Sequence, residues 1–361
     1  MRKQKERPPA SRVEGLRDIM VQKQIEAFMV SKGQNIFYLS GFTGGSGALL
    51  VVTIENKYIL TDSRYREQVK AESPDWEFIE VKPNDYQGLI KLGRQFSRLA
   101  VEGHHISYAF YQELQKNIPA EIFPVSNLLE ELRLVKDEEE IGLLKEAARI
   151  GDKVFAEISS LIRPGMTEKT IADQISYLLR KNGCWNESFD TIVLSGSNAA
   201  FPHGRPGSRA IMPGDMVIMD FGGIYEGYAG DMTRTMAASH VAPKFKDYYR
   251  ILLEAQQTGL AMVKSGVRCR DVDKAVRDNL ARYQLDSFFD HGTGHGIGLE
   301  VHEAPRISSG SDVCLAENMV ITIEPGVYIP GWGGIRIEDS VIVKSGGCEV
   351  ITQANKELII F

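Results

Sequence analysis

The sequence predicts a mixed α/β (α+β) fold in two domains, the second of which is built from two similar halves. Strand-like apolar segments alternate with helical patterns from residue 15 to about residue 134. A charged and mainly acidic run at residues 136–140 then marks a change in composition, and motifs beyond it recur at an offset close to 100 residues. We therefore predict a flexible basic tail over residues 1–12, a smaller α/β domain over residues 13–134 and a duplicated domain over residues 135–361.

The composition excludes several classes of protein. A hydrophobic fraction of 43% and a charged fraction of 25% are ordinary for a globular chain. A net charge of -6 gives no long-range attraction to nucleic acid or anionic lipid. No apolar segment has the length of a membrane span or the pattern of a secretory signal. We expect a cytoplasmic protein with no nucleic-acid or membrane partner.

The cysteines are too widely spaced to suggest a zinc site or a disulfide framework. We predict free thiols at Cys184, Cys269, Cys314 and Cys348.

The duplicated domain should begin with an amphipathic helix. Asp137 is a suitable N-cap, and the acidic residues that follow it favour a helix start. Apolar residues then recur on one predicted face: Ile141, Leu144, Ala148, Phe155 and Ile158.

The duplication is visible in helical segments and in strands. Residues 161–175 resemble residues 262–276, so that Ile171 corresponds to Val272 and Ile175 to Val276. The apolar strand pattern of residues 213–223 resembles that of residues 316–326. Two similar half-domains packed about a pseudo-twofold axis are the expected result.

Each predicted half contributes two carboxylates, Asp220 with Asp231 and Glu324 with Glu338. A hairpin centred near residues 225–226 would make Asp220 and Asp231 direct cross-strand neighbours, with Cβ atoms roughly 5 Å apart. Four carboxylates and an imidazole form a suitable ligand set for two hard divalent cations. A structural ion pair between Asp231 and Arg234 is the main alternative.

Histidines cluster in the second half, on a glycine-rich segment where the backbone can approach a ligand closely. We predict His295 as a metal ligand, and His302 and His203 as substrate contacts. His291 lies on the same segment as His295. The remaining histidines, His104, His105 and His240, are predicted to be ordinary surface residues.

The motifs around these residues resemble those of the aminopeptidase P and prolidase family, which is related to methionine aminopeptidase. The resemblance covers residue 136 to the C-terminus closely, and residues 41–51 and 60–65 more loosely. Its motifs are D-F-G at 220–222, D-M-T-R-T at 231–235, the histidine segment at 291–303, E-P-G-V-Y at 324–328 and R-I-E-D at 336–339. Every ligand position of the family motif is intact.

This resemblance implies the pseudo-symmetric pita-bread fold, a homodimer and a pair of Mn(II), Co(II) or Zn(II) ions. Carboxylate-rich ligation with one imidazole favours Mn(II) or Co(II) over a purely zinc site, and we expect Mn(II) first. By the same resemblance, Asp231 and Glu338 bridge the ions, Asp220 completes one site, and His295 with Glu324 completes the other. The implied reaction is attack of activated water on the bond before proline.

The resemblance also implies roles beyond ligation. Glu324 would move a proton, and His291 and His302 are candidates to stabilise the oxyanion. His203 would contact the substrate, and Arg336 would orient Glu338 or the substrate.

Arg306 helps to distinguish a dipeptidase from an aminopeptidase P, because a guanidinium binds a free carboxylate bidentately. If Arg306 binds the free carboxylate of the substrate, it favours a dipeptidase that acts on Xaa-Pro. If Arg306 is an ordinary surface arginine, aminopeptidase P remains an alternative. An inactive relative that binds peptides or proteins, and a metal-free relative such as creatinase, are further alternatives that the intact ligand set disfavours.

Overall fold

A computed structural model describes residues 10–82 and 87–361 of the chain. The polypeptide divides into two units, Met1–Arg133 and Leu134–Phe361. Helix α1 begins at Ala10, so the predicted tail is wrong for residues 10–12, and its residues 1–9 lie outside the described part. The physical reason is that Val13, Leu16 and Met20 are buried at helical spacing, which makes a helix favourable there.

The first unit is a six-stranded mixed sheet with helices. Its strands are β1 (Ala27–Val30), β2 (Ala48–Thr53), β3 (Lys57–Thr61), β4 (Glu77–Glu80), β5 (Arg98–Glu102) and β6 (Glu121–Val125), in the order β4-β3-β2-β1-β5-β6. Its helices are α1 (Ala10–Gln22), α2 (Gly33–Ser40), α3 (Arg66–Glu72), α4 (Gln87–Leu92), α5 (Tyr108–Asn117) and α6 (Leu128–Arg133). Strand β1 is antiparallel to β2 and parallel to β5.

The second unit contains two helix pairs and several short sheets. The helices are α7 (Glu138–Leu161), α8 (Glu168–Lys181), α9 (Pro243–Met262) and α10 (Cys269–Ala281). The strands are β7 (Asn186–Glu187), β8 (Ile192–Ser195), β9 (Met216–Phe221), β10 (Gly223–Tyr225), β11 (Tyr228–Ala229), β12 (Met232–Ala237), β13 (Gly294–Gly296), β14 (Glu303–Ile307), β15 (Val320–Ile323), β16 (Gly326–Ile329), β17 (Gly333–Arg336), β18 (Asp339–Val343) and β19 (Cys348–Val350). The two central sheets have the orders β12-β9-β8 and β14-β13-β15-β18-β19.

The start of α7 confirms the predicted cap. The Asp137 side chain accepts from the Glu140 backbone N–H at 2.9 Å, and the Glu140 carboxylate accepts from the Asp137 N–H at 2.9 Å. This reciprocal capping box satisfies two helix-end donors. The predicted apolar face of the helix is buried, so the helix packs on the core as its sequence pattern indicates.

The duplicated organisation is also confirmed. Ile171 and Ile175 on α8, and Val272 and Val276 on α10, are all 0% exposed. Each half then supplies an antiparallel strand pair, β9 with β12 and β15 with β18. The carboxylates lie at the ends of these paired strands, which is why the fold brings two sequence-distant sets together.

All four cysteines are free thiols, as predicted. Burial raises the pKa of the Cys184 and Cys269 thiols to about 11. Across residues 10–82 and 87–361, no helix combines the length and apolar character needed to cross a bilayer.

Candidate metal centre

Three segments that are far apart in the sequence converge on one cluster of ligand atoms. Asp231, His295 and Glu338 each place one ligand atom within 4.8 Å of the others. Asp231 precedes β12, His295 lies in β13 and Glu338 lies between β17 and β18. Asp231 is 6% exposed and Glu338 only 1%, so their charges are held away from water.

Glu324 joins this cluster from the end of β15. Its Oε1 is 3.3 Å from His295 Nε2, and Asp231 Oδ2 is 3.5 Å from the same nitrogen. Thr322 contacts both His295 and Glu324. Its hydroxyl accepts from the His295 backbone N–H at 3.1 Å and donates to Glu324 Oε1 at 3.4 Å. The imidazole therefore lies between carboxylates from both halves.

Asp220 reaches the site in a different register from the one predicted. It lies opposite Thr233 in the β9–β12 ladder, so Asp231 is a diagonal neighbour and the predicted direct pairing is wrong. The turn sets the register: Tyr225 pairs with Tyr228, and residues 226 and 227 both have positive φ, 48° and 92°. A two-residue turn of this kind suits a hairpin, and diagonal neighbours are roughly 7–8 Å apart.

Arg336 holds Asp220. Its Nη2 donates to Asp220 Oδ2, its Nη1 donates to the Tyr328 hydroxyl at 2.7 Å, and its Nε donates to Thr233 Oγ1 at 3.1 Å. Thr233 Oγ1 in turn donates to Glu338 Oε2 at 2.8 Å. Arg336 therefore reaches Glu338 through the Thr233 hydroxyl, and its predicted role of orienting Glu338 or the substrate stays a prediction.

Arg234 pairs with Asp339 instead of Asp231, with Nη2 at 2.8 Å from Oδ1. The hydrogen bond from Glu338 N to Thr233 O at 3.2 Å joins the halves at the same place. The alternative of a structural Asp231–Arg234 ion pair is thus removed, and Asp231 is free to act as a ligand.

The electrostatics of the cluster show excess negative charge. Burial, reinforced by neighbouring carboxylates, raises the pKa of Asp231 and of Glu338 well above the usual range. Burial also raises the pKa of Asp220, although Arg336 opposes the shift. In His295, burial disfavours the charged form, but contact with Glu324 outweighs it and raises the pKa. A cation in the cluster would compensate this charge.

Two buried carboxylate oxygens of the cluster have no hydrogen-bond donor in the described part of the chain. Among the described residues, Asp220 Oδ1 and Glu338 Oε1 have no partner within the protein. Buried carboxylate oxygens without a donor are costly unless a cation satisfies them. Four carboxylates and one imidazole are a hard ligand set of the kind that binds Mn(II), Co(II) or Zn(II). The residues therefore fit a divalent metal centre.

The pKa shifts predict how pH affects the metal-free protein. Carboxyl groups in the unfolded chain titrate near pKa 4, whereas Asp231 and Glu338 titrate higher when folded. Their stabilising contribution is therefore present below the unfolded pKa and is lost as the pH rises through the folded values. Metal binding requires deprotonated ligands and has the opposite pH dependence.

The melting temperature should consequently differ between Mn-loaded and EDTA-treated protein by a gap that widens from about pH 5 to about pH 7.5. Differential scanning fluorimetry of both forms measures this gap. A gap that stays constant or narrows over that interval would contradict the assignment of these carboxylates as ligands.

His291 is engaged within the protein through both ring nitrogens. Nδ1 is 2.8 Å from Gly292 O, and Nε2 is 2.9 Å from the Tyr328 hydroxyl. A carbonyl only accepts, so Nδ1 carries the proton and Nε2 accepts from Tyr328. Burial lowers the pKa of His291, which favours this neutral form. The predicted oxyanion role of His291 therefore conflicts with this conformation, because no ring N–H is left to donate.

Three further predicted residues, His203, His302 and Arg306, are exposed to solvent. The His302 ring is 4.5 Å from the His295 ring, edge to face, and His302 and His203 are both exposed. The pKa of His302 is lowered by its partial burial and, to a smaller extent, by the neighbouring basic side chains of His295, His203 and Arg306. Arg306 is exposed and pairs directly with His295 in the β13–β14 ladder.

Sequence reasoning missed Tyr328 and Thr233. Tyr328 is 4% exposed and Thr233 is 0% exposed. Burial raises the pKa of Tyr328 to about 12, so its hydroxyl stays protonated and can bridge Arg336 and His291. The sequence did contain signals for both residues. Tyr328 is a polar residue at the end of the E-P-G-V-Y motif, and Thr233 lies between Asp231 and Arg234.

Comparison with known proteins agrees with this geometry. Residues 142–345 match metallopeptidase family M24, and residues 12–135 match the creatinase/prolidase N-terminal domain. The chain is 34% identical to the Xaa-Pro dipeptidase of Pyrococcus horikoshii, over 96% of this chain and 98% of that one.

Two solved structures extend the comparison. The Xaa-Pro dipeptidase from Bacillus anthracis superposes with a TM-score of 0.94 at 39% identity, over 97% of this chain and 99% of that one. The X-Pro aminopeptidase from Thermotoga maritima gives a TM-score of 0.88 at 36% identity, over 93% and 97%. The fold is therefore shared along nearly the whole chain, which belongs to metallopeptidase family M24 and is a divalent-metal-dependent peptidase with a creatinase/prolidase N-terminal domain.

Proposed function

We propose that this chain is an Xaa-Pro dipeptidase that hydrolyses the bond before proline with two divalent ions, Mn(II) in preference to Co(II) or Zn(II). The observation that carries the dipeptidase assignment is Arg306. It lies across the β-ladder from His295 and, in the described part of the chain, forms no ion pair. A guanidinium beside the ligand cluster suits the free carboxylate of a dipeptide.

The residues that would hold the ions are Asp220, Asp231, His295, Glu324 and Glu338. Bound divalent ions lower the pKa of water and polarise the scissile carbonyl. Contact with His295 outweighs burial and lowers the pKa of Glu324, which keeps its carboxylate ionised. Glu324 can thus accept the proton of the attacking water and deliver it to the proline nitrogen.

The remaining side chains act on the substrate or on the ligands. His302 stands beside His295 and donates to the developing negative charge on the carbonyl oxygen. His203, which is exposed, contacts the substrate. Arg336 positions Asp220, and His291 holds the Tyr328 hydroxyl that Arg336 also contacts.

A substrate panel tests the assignment. The purified protein, loaded with Mn(II) or Co(II), should cleave an Xaa-Pro dipeptide with a higher kcat/KM than the matching Xaa-Pro-Yaa tripeptide. A strong tripeptide preference would establish the alternative, an aminopeptidase P. Metal analysis should find two equivalents per chain, whereas a metal-free active protein, or a protein that binds peptides without cleaving them, would overturn the proposal.

Arg306→Ala should lower kcat/KM for an Xaa-Pro dipeptide by about 10- to 100-fold, since a hydrogen bond to a charged group contributes about 1.5–3 kcal/mol. The same variant should leave cleavage of the C-terminally amidated dipeptide nearly unchanged. Steady-state kinetics on the two substrates measure this difference. Arg282→Ala, at an exposed arginine after α10, is the control; equal losses on both substrates would remove the carboxylate role.

A homodimer and a cytoplasmic location remain predictions. Sedimentation velocity of the Mn-loaded protein tests the first.

A further inference from the structure

Helix α10 carries an ion pair that faces the loop before β13, with a buried carboxylate and a guanidinium that is 32% exposed. Asp273 is 0% exposed, and its Oδ2 is 2.9 Å from Arg277 Nε, one helical turn away. Asp273 Oδ1 accepts from Thr293 N at 3.2 Å and from Thr293 Oγ1 at 2.8 Å. A buried carboxylate requires such partners, so the ion pair is tied to this loop.

Arg277 extends from the ion pair to the backbone around His291. Its Nη1 donates to Phe289 O at 2.9 Å and its Nη2 donates to His291 O. The guanidinium carbon lies 4.4 Å from the centre of the Phe289 ring, and the His291 ring packs edge to face on that ring at 4.9 Å. One planar guanidinium thus holds the His291 backbone and the ring that supports its imidazole.

A continuous set of contacts leads from His291 to the ligand cluster. His291 Nε2 is 2.9 Å from the Tyr328 hydroxyl, which is 2.7 Å from Arg336 Nη1. Arg336 then contacts Asp220. We propose that Arg277 is a positioning residue that orients His291, and through Tyr328 and Arg336 the ligand Asp220. Its kinetic consequences rest on the proposed function above, whereas its effect on the loop does not.

The kinetic experiment compares Arg277→Met with a matched control on the same helix. Lys274 and Asp278 form another ion pair one turn apart, with side chains 70% and 58% exposed, so Lys274→Met removes a cation that touches nothing in the site. Arg277→Met should lower kcat for an Xaa-Pro dipeptide by about 10- to 100-fold, the range typical of lost supporting contacts. Lys274→Met should match wild type, and Arg277→Lys should be intermediate because an ammonium lacks the planar fork.

Dependence on His291 is tested with the double variant Arg277→Met/His291→Ala. It should be no less active than His291→Ala alone if Arg277 acts through His291. A further loss as large as that in the wild-type background overturns the inference.

Hydrogen exchange measured by mass spectrometry decides the inference independently of catalysis. Residues 289–293 should exchange faster in Arg277→Met than in wild type or Lys274→Met, in the full metal-free chain. Unchanged exchange there overturns the inference. If the wild type cleaves no Xaa-Pro substrate, the proposed function fails while this measurement still decides the positioning role. Asp273→Asn/Arg277→Met removes both charges and replaces the single variant if that variant does not fold.

Discussion

Asp231→Asn should abolish peptide hydrolysis while leaving the circular dichroism spectrum nearly native. The side chain belongs to the Asp231–His295–Glu338 cluster, whose ligand atoms lie within 4.8 Å of one another, and a neutral amide is a poor substitute for a carboxylate ligand. The fold does not depend on the Asp231 charge, because burial and neighbouring carboxylates already raise its pKa. The metal-free variant should therefore be at least as stable as metal-free wild type.

Metal-dependent stabilisation provides the second readout for this variant. A ligand at 100 times its Kd stabilises a folded protein by about 2.7 kcal/mol, and Asp231→Asn should lose most of this gain. Thermal melts with and without Mn(II) measure it, alongside steady-state turnover. Asp247→Asn, at an exposed position on α9, is the control. Full activity of Asp231→Asn would contradict the assignment of Asp231 as a metal ligand.

Arg234→Met should destabilise the fold by about 3–5 kcal/mol, the range for removing one partner of a buried ion pair. Arg234 is 1% exposed and donates to Asp339 as well as to the carbonyls of Thr233, Glu338 and Ala354. The side chain therefore links β12 of the first half to the start of β18 in the second, and methionine removes one donor from each of these acceptors.

Urea unfolding monitored by fluorescence measures this loss. Adding Asp339→Asn to Arg234→Met should restore part of the stability, because it removes a buried charge for which Lys356 would be the one remaining cationic partner among the described residues. Arg149→Met, which breaks an exposed ion pair with Glu146, should leave the unfolding midpoint unchanged. A midpoint for Arg234→Met equal to that of wild type would show that the junction of the halves does not depend on this arginine.

Local chemistry made the N-terminal cap of α7 and the ligand types predictable. Asp137 and Glu140 satisfy each other's backbone donors within one turn, so no distant residue is needed to recognise the cap. The carboxylates at Asp220 and Glu324 follow apolar strands, which marks them as charges carried toward a buried place. Spacing along the chain is sufficient for such inferences because each depends on neighbours in sequence.

Positions that depend on a turn or on a distant partner were not predictable in the same way. A two-residue turn at residues 226–227 places Asp220 opposite Thr233, and a shift in that turn would have changed the register. The partner of Arg234 lies 105 residues further along the chain. Tyr328 becomes part of the site only because β16 and β17 bring it against Arg336.

The sequence by itself determined that two duplicated halves would each supply a carboxylate pair, with an imidazole from the second half alone. Only the tertiary structure decided which groups hold two of those ligands, Arg336 on Asp220 and Thr233 on Glu338, and that Arg234 pairs with Asp339 instead of a ligand. The physical reason is that ligand identity is a property of single side chains. Their support, in contrast, comes from hydrogen bonds between strands of different halves, which form only when the halves pack together.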